Sequence, residues 1–306
     1  MSSELRILQN DTWQVGILPE TGAATAFGRI ADGKGGWLDF MRPAPEASYS
    51  TFSECASYPL IPWSNRIRVG HFRFRGHDYQ LKINMGDGTA IHGAARDFPW
   101  KVETSDATSL TVSYVSTDFG GVNFPWHFSA RQTFRVDGPR FTVSTSVKNE
   151  DTVAFPAGFG HHPYFMRTLK TPSDSVRLEI PCSQYFVLEK CLPSAGPVHV
   201  ESRVDFQNSR PLGEIFIDDC LTGRAGSSPI HFTYPESGVR IAMEFDPLYQ
   251  NVVLYVPENK PFFACEPVTN ANDGFNLYDK GIPGAAVFIL ESGAEQHADY
   301  SLIREG

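Results

Sequence analysis

Four segments of the chain combine ionisable side chains with aromatic and turn residues, a mixture that is typical of a site on a sheet surface or in a loop. They cover residues 58–70, 90–100, 158–165 and 265–276. Carboxylates, imidazoles and guanidinium groups in such a setting could move protons or bind a polar ligand. We therefore take these segments as the candidates for a functional site.

Two histidines, His161 and His162, are adjacent in the segment GFGHHPYF. Neighbouring side chains on an extended strand point to opposite faces, so at most one of the two imidazoles enters a given cleft. Strand alternation does not select between them. A histidine beside aromatic residues is also commonly a hydrogen-bonded structural residue, and this alternative applies equally to His92.

Glu266 follows the apolar run PFFAC at residues 261–265. A carboxylate at the end of a buried strand loses hydration, which raises its pKa and makes it a competent general base. The alternative is that the strand ends at the surface, where Glu266 would be an ordinary acid.

Other charged residues have weaker signals. Arg66 and Arg68 lie on either side of Ile67, and an arginine fork could bind sugar hydroxyls or a carboxylate, although a structural ion pair is the commoner use. Asp218 and Asp219 are adjacent. They could be paired acids, metal ligands or turn residues, and their turn propensity favours the last of these.

Composition excludes several classes of protein. The chain has 306 residues, of which 41% are hydrophobic and 20% charged, enough to bury the core of a single domain over residues 1–306. The net charge of −9 comes without a Lys/Arg run, which excludes a nucleic-acid footprint. With no signal peptide or long apolar window, we expect a soluble cytoplasmic protein without a membrane partner. The five cysteines lack CxxC spacing, which indicates reduced thiols.

The chain reads as an all-β protein with few short helices. β-forming residues alternate or cluster at residues 109–116, 128–136, 140–147, 239–245 and 252–256. Turn clusters rich in Gly, Pro, Asn and Asp separate them, and 22 prolines argue against long helices. The sequence predicts an antiparallel β-sandwich with no internal repeat or linker.

Five motifs, taken in chain order, resemble the aldose 1-epimerase (galactose mutarotase-like) family over nearly the whole chain. They are Asn65-Arg66-Ile67 with Gly70, Ile91-His92-Gly93, His162-Pro163-Tyr164-Phe165, Asp218, and Glu266-Pro267-Val268-Thr269 with Asn276. The resemblance implies a large antiparallel β-supersandwich with a sugar-binding cleft on one concave face.

The resemblance also implies a mechanism, the interconversion of the α and β anomers of an aldose without a metal or other cofactor. Glu266 corresponds to the general base and His162 to the general acid. His92, Arg66, Asp218 and Asn65 correspond to residues that contact the substrate. Aromatic stacking on the sugar by Trp63 or Tyr164 is a further expectation. His161 and Asp219 are then expected to have no catalytic role.

One departure bears on the substrate. Galactose mutarotases have a glycine-rich stretch after the His-Gly pair, whereas this chain has HGAARDFPW at residues 92–100. That segment looks closer to hexose-6-phosphate mutarotases, in which Arg96 could bind the phosphate. The Asn65-Arg66-Ile67 segment favours a free sugar, and galactose is not specifically predicted.

Three other classes of function are alternatives. A noncatalytic sugar-binding module would need the cleft but not a matched acid and base. A cupin-like metalloenzyme could use His92, His162 and Glu266, but the chain lacks the HxH pair that puts two imidazoles on one strand face. A glycoside hydrolase could use Asp218 and Glu266 as its two carboxylates. The sequence makes no prediction about oligomeric state.

Overall fold

Two large antiparallel sheets form the framework of the protein. The computed structural model describes residues 4–306. Strands contain 47% of the residues and helices 7%, so the predicted all-β supersandwich is confirmed. Each of the five strand segments expected from the sequence forms a strand whose ends lie within two residues of the expected ones.

The first large sheet has nine strands, which pair antiparallel with their neighbours. In spatial order they are β10 (Lys101–Ser105), β11 (Ser109–Val115), β12 (Phe128–Asp137), β13 (Arg140–Asn149), β29 (Glu295–Glu305), β25 (Val239–Phe245), β24 (Ile230–Tyr234), β17 (Arg177–Glu179) and β22 (Arg210–Pro211).

The second large sheet has eight strands and contributes the floor of the candidate site. Its spatial order is β21 (Val198–His199), β18 (Cys182–Tyr185), β23 (Ile217–Arg224), β26 (Asn251–Val256), β27 (Phe262–Val268), β15 (Gly160–His161) and β5 (Pro59–Leu60), with β16 (Tyr164–Met166) also paired to β27.

Smaller sheets and short helices complete the fold. One sheet contains β1 (Arg6–Gln9), β2 (Trp13–Leu18), β3 (Ala24–Ala31) and β4 (Trp37–Asp39); the strand pairs are β6 (Arg66–Ile67) with β9 (Ala90–Ile91), β7 (His71–Phe74) with β8 (His77–Gln80), β14 (Phe155–Ala157) with β28 (Phe288–Leu290), and β19 (Leu188–Glu189) with β20 (Leu192–Pro193). The described residues contain one α-helix, α1 (Gly274–Asp279), and 3-10 turns at Glu46–Ser48, Phe52–Glu54, Arg68–Gly70, Ala95–Asp97 and Ser116–Asp118. Within residues 4–306, no helix is long and apolar enough to span a membrane.

The nine-stranded sheet shows how alternation builds the core. In β12 every second side chain from Phe128 to Val136 is buried, and the intervening ones are half-buried or exposed. A period of two gives one buried face and one solvated face. The hairpin from β12 to β13 closes through Gly138, whose φ of +52° suits glycine in a tight turn. This sheet therefore covers one side of the core and leaves its other side in water.

The central strands of the eight-stranded sheet are buried on both faces. In β27, Phe263 and Cys265 point into the main core, whereas Ala264 and Val268 belong to a second apolar cluster on the opposite face. Glu266 has the parity of Ala264 and Val268. Strand alternation therefore places this carboxyl group on the face that is turned away from the main core.

Candidate active site

A cavity of about 470 Å³ opens on this second face of the eight-stranded sheet. Eight of the nine side chains proposed from the sequence as site residues line it together: Asn65, Arg66, His92, Arg96, His162, Tyr164, Asp218 and Glu266. They come from distant parts of the chain, and β6, β16, β23 and β27 carry four of them. The fold thus brings seven polar or charged side chains and one tyrosine into a single cavity.

The floor of the cavity holds an imidazole and a carboxyl group in direct contact. His162 Nε2 and Glu266 Oε1 are 3.1 Å apart, and both side chains are almost fully buried. Glu266 Oε2 and His162 Nδ1 are buried without a hydrogen-bond partner. Glu266 is held in the middle of the sheet because its backbone pairs with Val253 of β26. An acid and a base in contact at the bottom of a cavity are suited to proton transfer.

Burial controls the protonation of this pair. It raises the pKa of Glu266 well above its ordinary value, an effect that Asp218 increases and Arg66 opposes. It lowers the pKa of His162 to about 3, with further lowering by Arg42. A 3.1 Å contact alone would also suit an ion pair. We take the pair as a protonated carboxyl group and a neutral imidazole, because separated charges are costly in a water-poor site.

His92 and Asn65 hold each other in a reciprocal contact. The Asn65 N–H donates to His92 Nδ1 over 3.2 Å, and the His92 N–H donates to the Asn65 carbonyl over 3.0 Å. Burial lowers the pKa of His92 well below its usual range. Because Nδ1 of this neutral ring is an acceptor, Nε2 carries the proton and can donate it to a ligand in the cavity.

The His-Gly pair has a backbone reason. His92 has φ +63° and Gly93 has φ +69°, in the left-handed region that non-glycine residues adopt only rarely. A Cβ atom at Gly93 would collide with the Ile61 backbone. Glycine therefore allows the chain to pass close behind His92, and the strained φ of His92 is of the kind that clusters at functional sites.

Arg66 and Asp218 form the charged side of the cavity. Arg66 Nε donates to Asp87 Oδ2 over 2.8 Å. Asp87 therefore orients this guanidinium group, and the sequence analysis did not identify it. Asp218 accepts a hydrogen bond from Cys191 Sγ at 3.3 Å. Burial raises the pKa of Asp218, although Arg66 opposes that change. Both residues present charged or strongly polar atoms to a ligand.

Arg96 is a buried guanidinium group without a hydrogen bond to a carboxylate. Only 7% of the residue is exposed, and Asp97 Oδ1 lies 3.8 Å from its Nε. One donated bond runs to the Ile91 carbonyl over 3.1 Å, whereas Nε has no hydrogen-bond partner. The positive charge is covered by the rings of Phe52 and Tyr58.

Tyr58 is a cavity residue that the sequence analysis missed. Its ring is stacked on the His162 imidazole, with centroids 4.9 Å apart and planes 26° apart, and its carbonyl accepts the His162 N–H over 3.0 Å. The Arg96 guanidinium carbon lies 5.6 Å from the centroid of the Tyr58 ring. No motif marked this residue. Its position before β5, beside β15, gives it these contacts.

Tyr164 also lies against the catalytic candidate His162. The two ring centroids are 4.5 Å apart, and the Arg42 guanidinium group lies 3.8 Å from the tyrosine ring centroid. Trp63, the other aromatic residue proposed to stack on a sugar, does not line the cavity. It is fully buried and stacks on Phe124 with centroids 5.9 Å apart. The proposal for Trp63 was therefore wrong, because its ring is enclosed by the core.

His161 and Asp219, which follow or precede a site residue in the sequence, lie outside the cavity. His161 is turned towards the main core, where Nε2 is 3.0 Å from Thr145 Oγ1 and the ring lies 4.7 Å from that of Tyr300. This is the opposite-face arrangement that strand alternation predicts for adjacent histidines. Asp219 forms a two-bond ion pair with Arg203, at 2.6 and 3.0 Å. Neither His161 nor Asp219 lines the cavity.

A cluster that could hold a metal ion lies outside the cavity. In the part of the chain that the structure describes, Asp246, His297 and Asp299 are the only three ligand side chains found close enough together for this purpose. One of the three is exposed and two are half-buried. None of them lines the cavity that contains Glu266.

Comparison with known proteins identifies the family. The family model described as aldose 1-epimerase matches residues 17–294. The chain belongs to the aldose 1-epimerase family. Among members and relatives, Escherichia coli (strain K12) YphB is 27% identical over 260 residues, which cover 81% of this chain and 85% of YphB. Human galactose mutarotase is 26% identical over 166 residues, covering 52% of this chain and 47% of the human protein.

Solved structures share the fold of this aldose 1-epimerase family member. A galactose mutarotase-like protein from Clostridium acetobutylicum superposes with a TM-score of 0.84 at 16% identity, covering 98% of this chain and 94% of that one. An aldose epimerase homologue from C. elegans has a TM-score of 0.83 at 16% identity, covering 99% of both chains. At such identities the likeness concerns the fold, and it agrees with the supersandwich described above.

Proposed function

We propose that this protein is a mutarotase that interconverts the α and β anomers of an aldose, with Glu266 as general base and His162 as general acid. The observation that carries the proposal is the 3.1 Å contact between Glu266 Oε1 and His162 Nε2 on the floor of the cavity. Ring opening needs one proton removed from the C1 hydroxyl and one delivered to the ring oxygen. Both oxygens are bonded to C1, so the base and the acid must lie close together.

The reaction follows from this arrangement. Glu266 as a carboxylate removes the proton of the C1 hydroxyl group, while the C1–ring oxygen bond breaks and the ring oxygen takes a proton from His162. The product is the open-chain aldehyde. Rotation about the C1–C2 bond presents the other face of the carbonyl. The ring hydroxyl then attacks C1, His162 recovers its proton, and Glu266 returns a proton to the carbonyl oxygen.

The protonation of Glu266 and His162 matches this cycle. A protonated Glu266 beside a neutral His162 holds the same number of protons as a carboxylate beside an imidazolium. The two forms differ only by transfer of one proton across the 3.1 Å contact. Sugar hydroxyls in the cavity can donate hydrogen bonds to the Glu266 carboxyl group, which lines it. Substrate binding would therefore favour the reactive charged form.

The remaining polar residues would orient the sugar. Arg66 and the neutral His92 can donate hydrogen bonds to hydroxyl oxygens, and Asp218 can accept them. Asn65 supports both donors. Its backbone N–H binds His92 Nδ1, and its side-chain oxygen accepts the Arg66 backbone N–H over 2.9 Å and the Arg66 Nη1 group over 3.4 Å. Tyr58 stacks on the His162 imidazole and Tyr164 packs against it at a tilt, so both rings hold His162 in position. We assign these residues to substrate binding and positioning.

Arg96 favours a second candidate substrate, an aldose with an anionic group at C6, the exocyclic carbon attached to C5. If His162 faces the ring oxygen, the substituent at C5 lies beside it. Arg96 lines the same cavity as His92 and His162. A 6-phosphate or carboxylate in the cavity could accept hydrogen bonds from this guanidinium group, which lines it.

The test is a panel of freshly dissolved aldoses and their 6-phosphates, followed by polarimetry and by NMR exchange between the anomeric protons. Catalysed exchange of any of them supports a mutarotase, and the preferred member identifies the substrate branch. Binding of a sugar without faster exchange would instead support the noncatalytic sugar-binding module. The group in direct contact with Glu266 is the His162 imidazole, which a mutarotase uses as its acid, whereas a glycoside hydrolase would use a second carboxyl group.

The proposal extends to the compartment and the ligand. We propose a cytoplasmic enzyme that takes a small-molecule sugar. All five cysteines are free thiols, and four of them are buried. Unpaired thiols are typical of the reducing environment of the cytoplasm.

A further inference from the structure

The buried side chain of Asn270 binds the backbone next to a site residue without entering the cavity. Asn270 is 2% exposed and does not line the cavity that contains Glu266. Its side-chain oxygen accepts the Ser64 N–H over 3.0 Å, and its Nδ2 donates to the Ser64 carbonyl over 3.0 Å. The Ser64 hydroxyl donates to the Asn270 carbonyl over 2.7 Å. These bonds fix the backbone immediately before Asn65.

The segment that leads to His162 packs against the same amide. A Cβ atom at Gly158 would lie 2.0 Å from the Asn270 side-chain oxygen, so only glycine lets the chain pass this close. Asn270 itself follows Glu266 by four residues. The chain segments that lead to Asn65 and to His162 therefore both rest on the segment that follows Glu266.

The substrate-binding candidates depend on this support more than the acid and the base do. Glu266 lies within β27, which pairs with β26, and His162 directly follows β15, which pairs with β27 and β5. In contrast, Arg66 belongs to the two-residue strand β6, which pairs with β9 alone. Asn65 has φ +56°, a conformation that its surroundings must hold in place, and His92 receives its Nδ1 hydrogen bond from Asn65.

Asp273 holds the other side of Arg66. The Asp273 N–H donates to the Arg66 carbonyl over 2.7 Å, and Asp273 Oδ1 accepts the Arg68 N–H over 2.9 Å. The same oxygen accepts a bond from Asn276 Nδ2 over 2.7 Å. Asn276 belongs to a motif of the sequence but does not line the cavity. The segment from Asn270 to Asn276 thus holds the chain before and after Arg66.

We propose that Asn270 is a positioning residue of this enzyme, which places Asn65, Arg66 and His92 correctly relative to Glu266. This inference rests on the proposed mutarotase function, because it takes those three residues as the substrate-binding side of the site. Loss of the Asn270 amide would release the backbone before Asn65, while β27 and β15 still hold the acid and the base. Sugar binding would therefore suffer more than proton transfer.

The experiment compares the wild type with Asn270→Ala, Ser64→Ala and Asn149→Ala. Ser64→Ala is the milder change, since it keeps both bonds between the Asn270 amide and the Ser64 backbone. Asn149, at the end of β13, is the matched control. It is fully buried, its Nδ2 donates to two carbonyls and its Oδ1 accepts one backbone N–H, and it does not line the cavity. NMR exchange gives KM and kcat for glucose, galactose and their 6-phosphates, and circular dichroism gives Tm.

We expect Asn270→Ala to raise KM about tenfold and to keep kcat within about threefold, because a displacement of about 1 Å costs up to about 100-fold. Ser64→Ala should raise KM about twofold. Asn149→Ala should lower Tm about as much as Asn270→Ala, since each removes a buried hydrogen-bonded amide, and should leave KM and kcat unchanged.

Two results would overturn the positioning role alone: an unchanged KM in Asn270→Ala, or an equal rise of KM in Asn149→Ala. If Asn270→Ala does not fold, an unchanged KM in Ser64→Ala would overturn it as well. Absence of catalysed exchange by the wild type for all of these sugars would overturn the proposed function together with the positioning role.

Discussion

Replacing Glu266 with glutamine should abolish most activity and at the same time stabilise the protein at alkaline pH. The amide has nearly the shape of the carboxyl group but neither accepts a proton nor carries charge. Glu266 is 1% exposed, with Oε1 3.1 Å from His162 Nε2 and Oε2 without a hydrogen-bond partner. Loss of a general base typically costs about 100- to 10,000-fold in rate, so we expect at least a 100-fold loss of anomeric exchange.

The stability change follows from the pKa of Glu266. Burial raises this pKa well above its ordinary value of 4.5. At a pH above 4.5 the unfolded chain releases the proton that the folded protein still binds, so folded stability falls as the pH rises towards the folded pKa. Each unit of elevation corresponds to about 1.4 kcal/mol. Glu266→Gln removes this loss, and its advantage over the wild type should grow from pH 4 to pH 9.

The assay combines NMR exchange spectroscopy at neutral pH with thermal unfolding followed by circular dichroism across that pH range. Glu258→Gln is the matched control, because the same substitution there changes an exposed residue outside the cavity. It should alter neither measurement. Retention of more than a tenth of the wild-type activity in Glu266→Gln would refute the base assignment. A stability difference that does not increase with pH would refute the raised pKa.

Three further outcomes are expected. His162→Asn should lower the exchange rate at least 100-fold with an unchanged circular dichroism spectrum, and near-normal rates would exclude it as the acid. Tyr58→Phe keeps the ring stacked on His162 and should lower the exchange rate less than tenfold. Tyr58→Leu should lower it more and shift the pH–rate profile, since a displaced acid reacts poorly. Equal losses of rate in the two variants would contradict a positioning role for Tyr58. His161 has a pKa lowered to about 3 by burial, so the folded state loses stability as the pH falls from 6.5 towards 3, by up to about 5 kcal/mol. His161→Gln should flatten that dependence in acid unfolding experiments, and an unchanged slope would contradict it.

Local sequence patterns were sufficient for the strands and for the broad fold. The alternation in residues 128–136 and 140–147 corresponds to β12 and β13, where one face packs against the core. Such alternation depends only on whether successive side chains meet apolar surface or water. The order of strands in the sheets is a different matter. β29 pairs with both β13 and β25, and contacts between segments so far apart in the chain leave no local pattern.

Most of the residues proposed from motifs line the same cavity, but their hydrogen-bond partners could be identified only from the tertiary structure. Asp87 orients Arg66, and Cys191 contacts Asp218. Neither residue has a pattern that marks it as part of a site. Trp63 shows the opposite limit. It lies within a segment rich in site residues, yet its ring is packed in the core, because proximity in the chain does not determine which face a side chain occupies.

By itself, the sequence determined that Glu266 follows a buried apolar strand and that His161 and His162 face opposite sides, because both follow from alternation along one strand. Only the tertiary structure decided that Glu266 and His162 are in contact. That contact requires β27 to pair with β15, and its chemical consequence, a raised pKa for the acid and a lowered one for the imidazole, arises from the water-poor cavity around both groups. Solvent exclusion of this kind is a property of the assembled sheets, and no local sequence pattern predicts it.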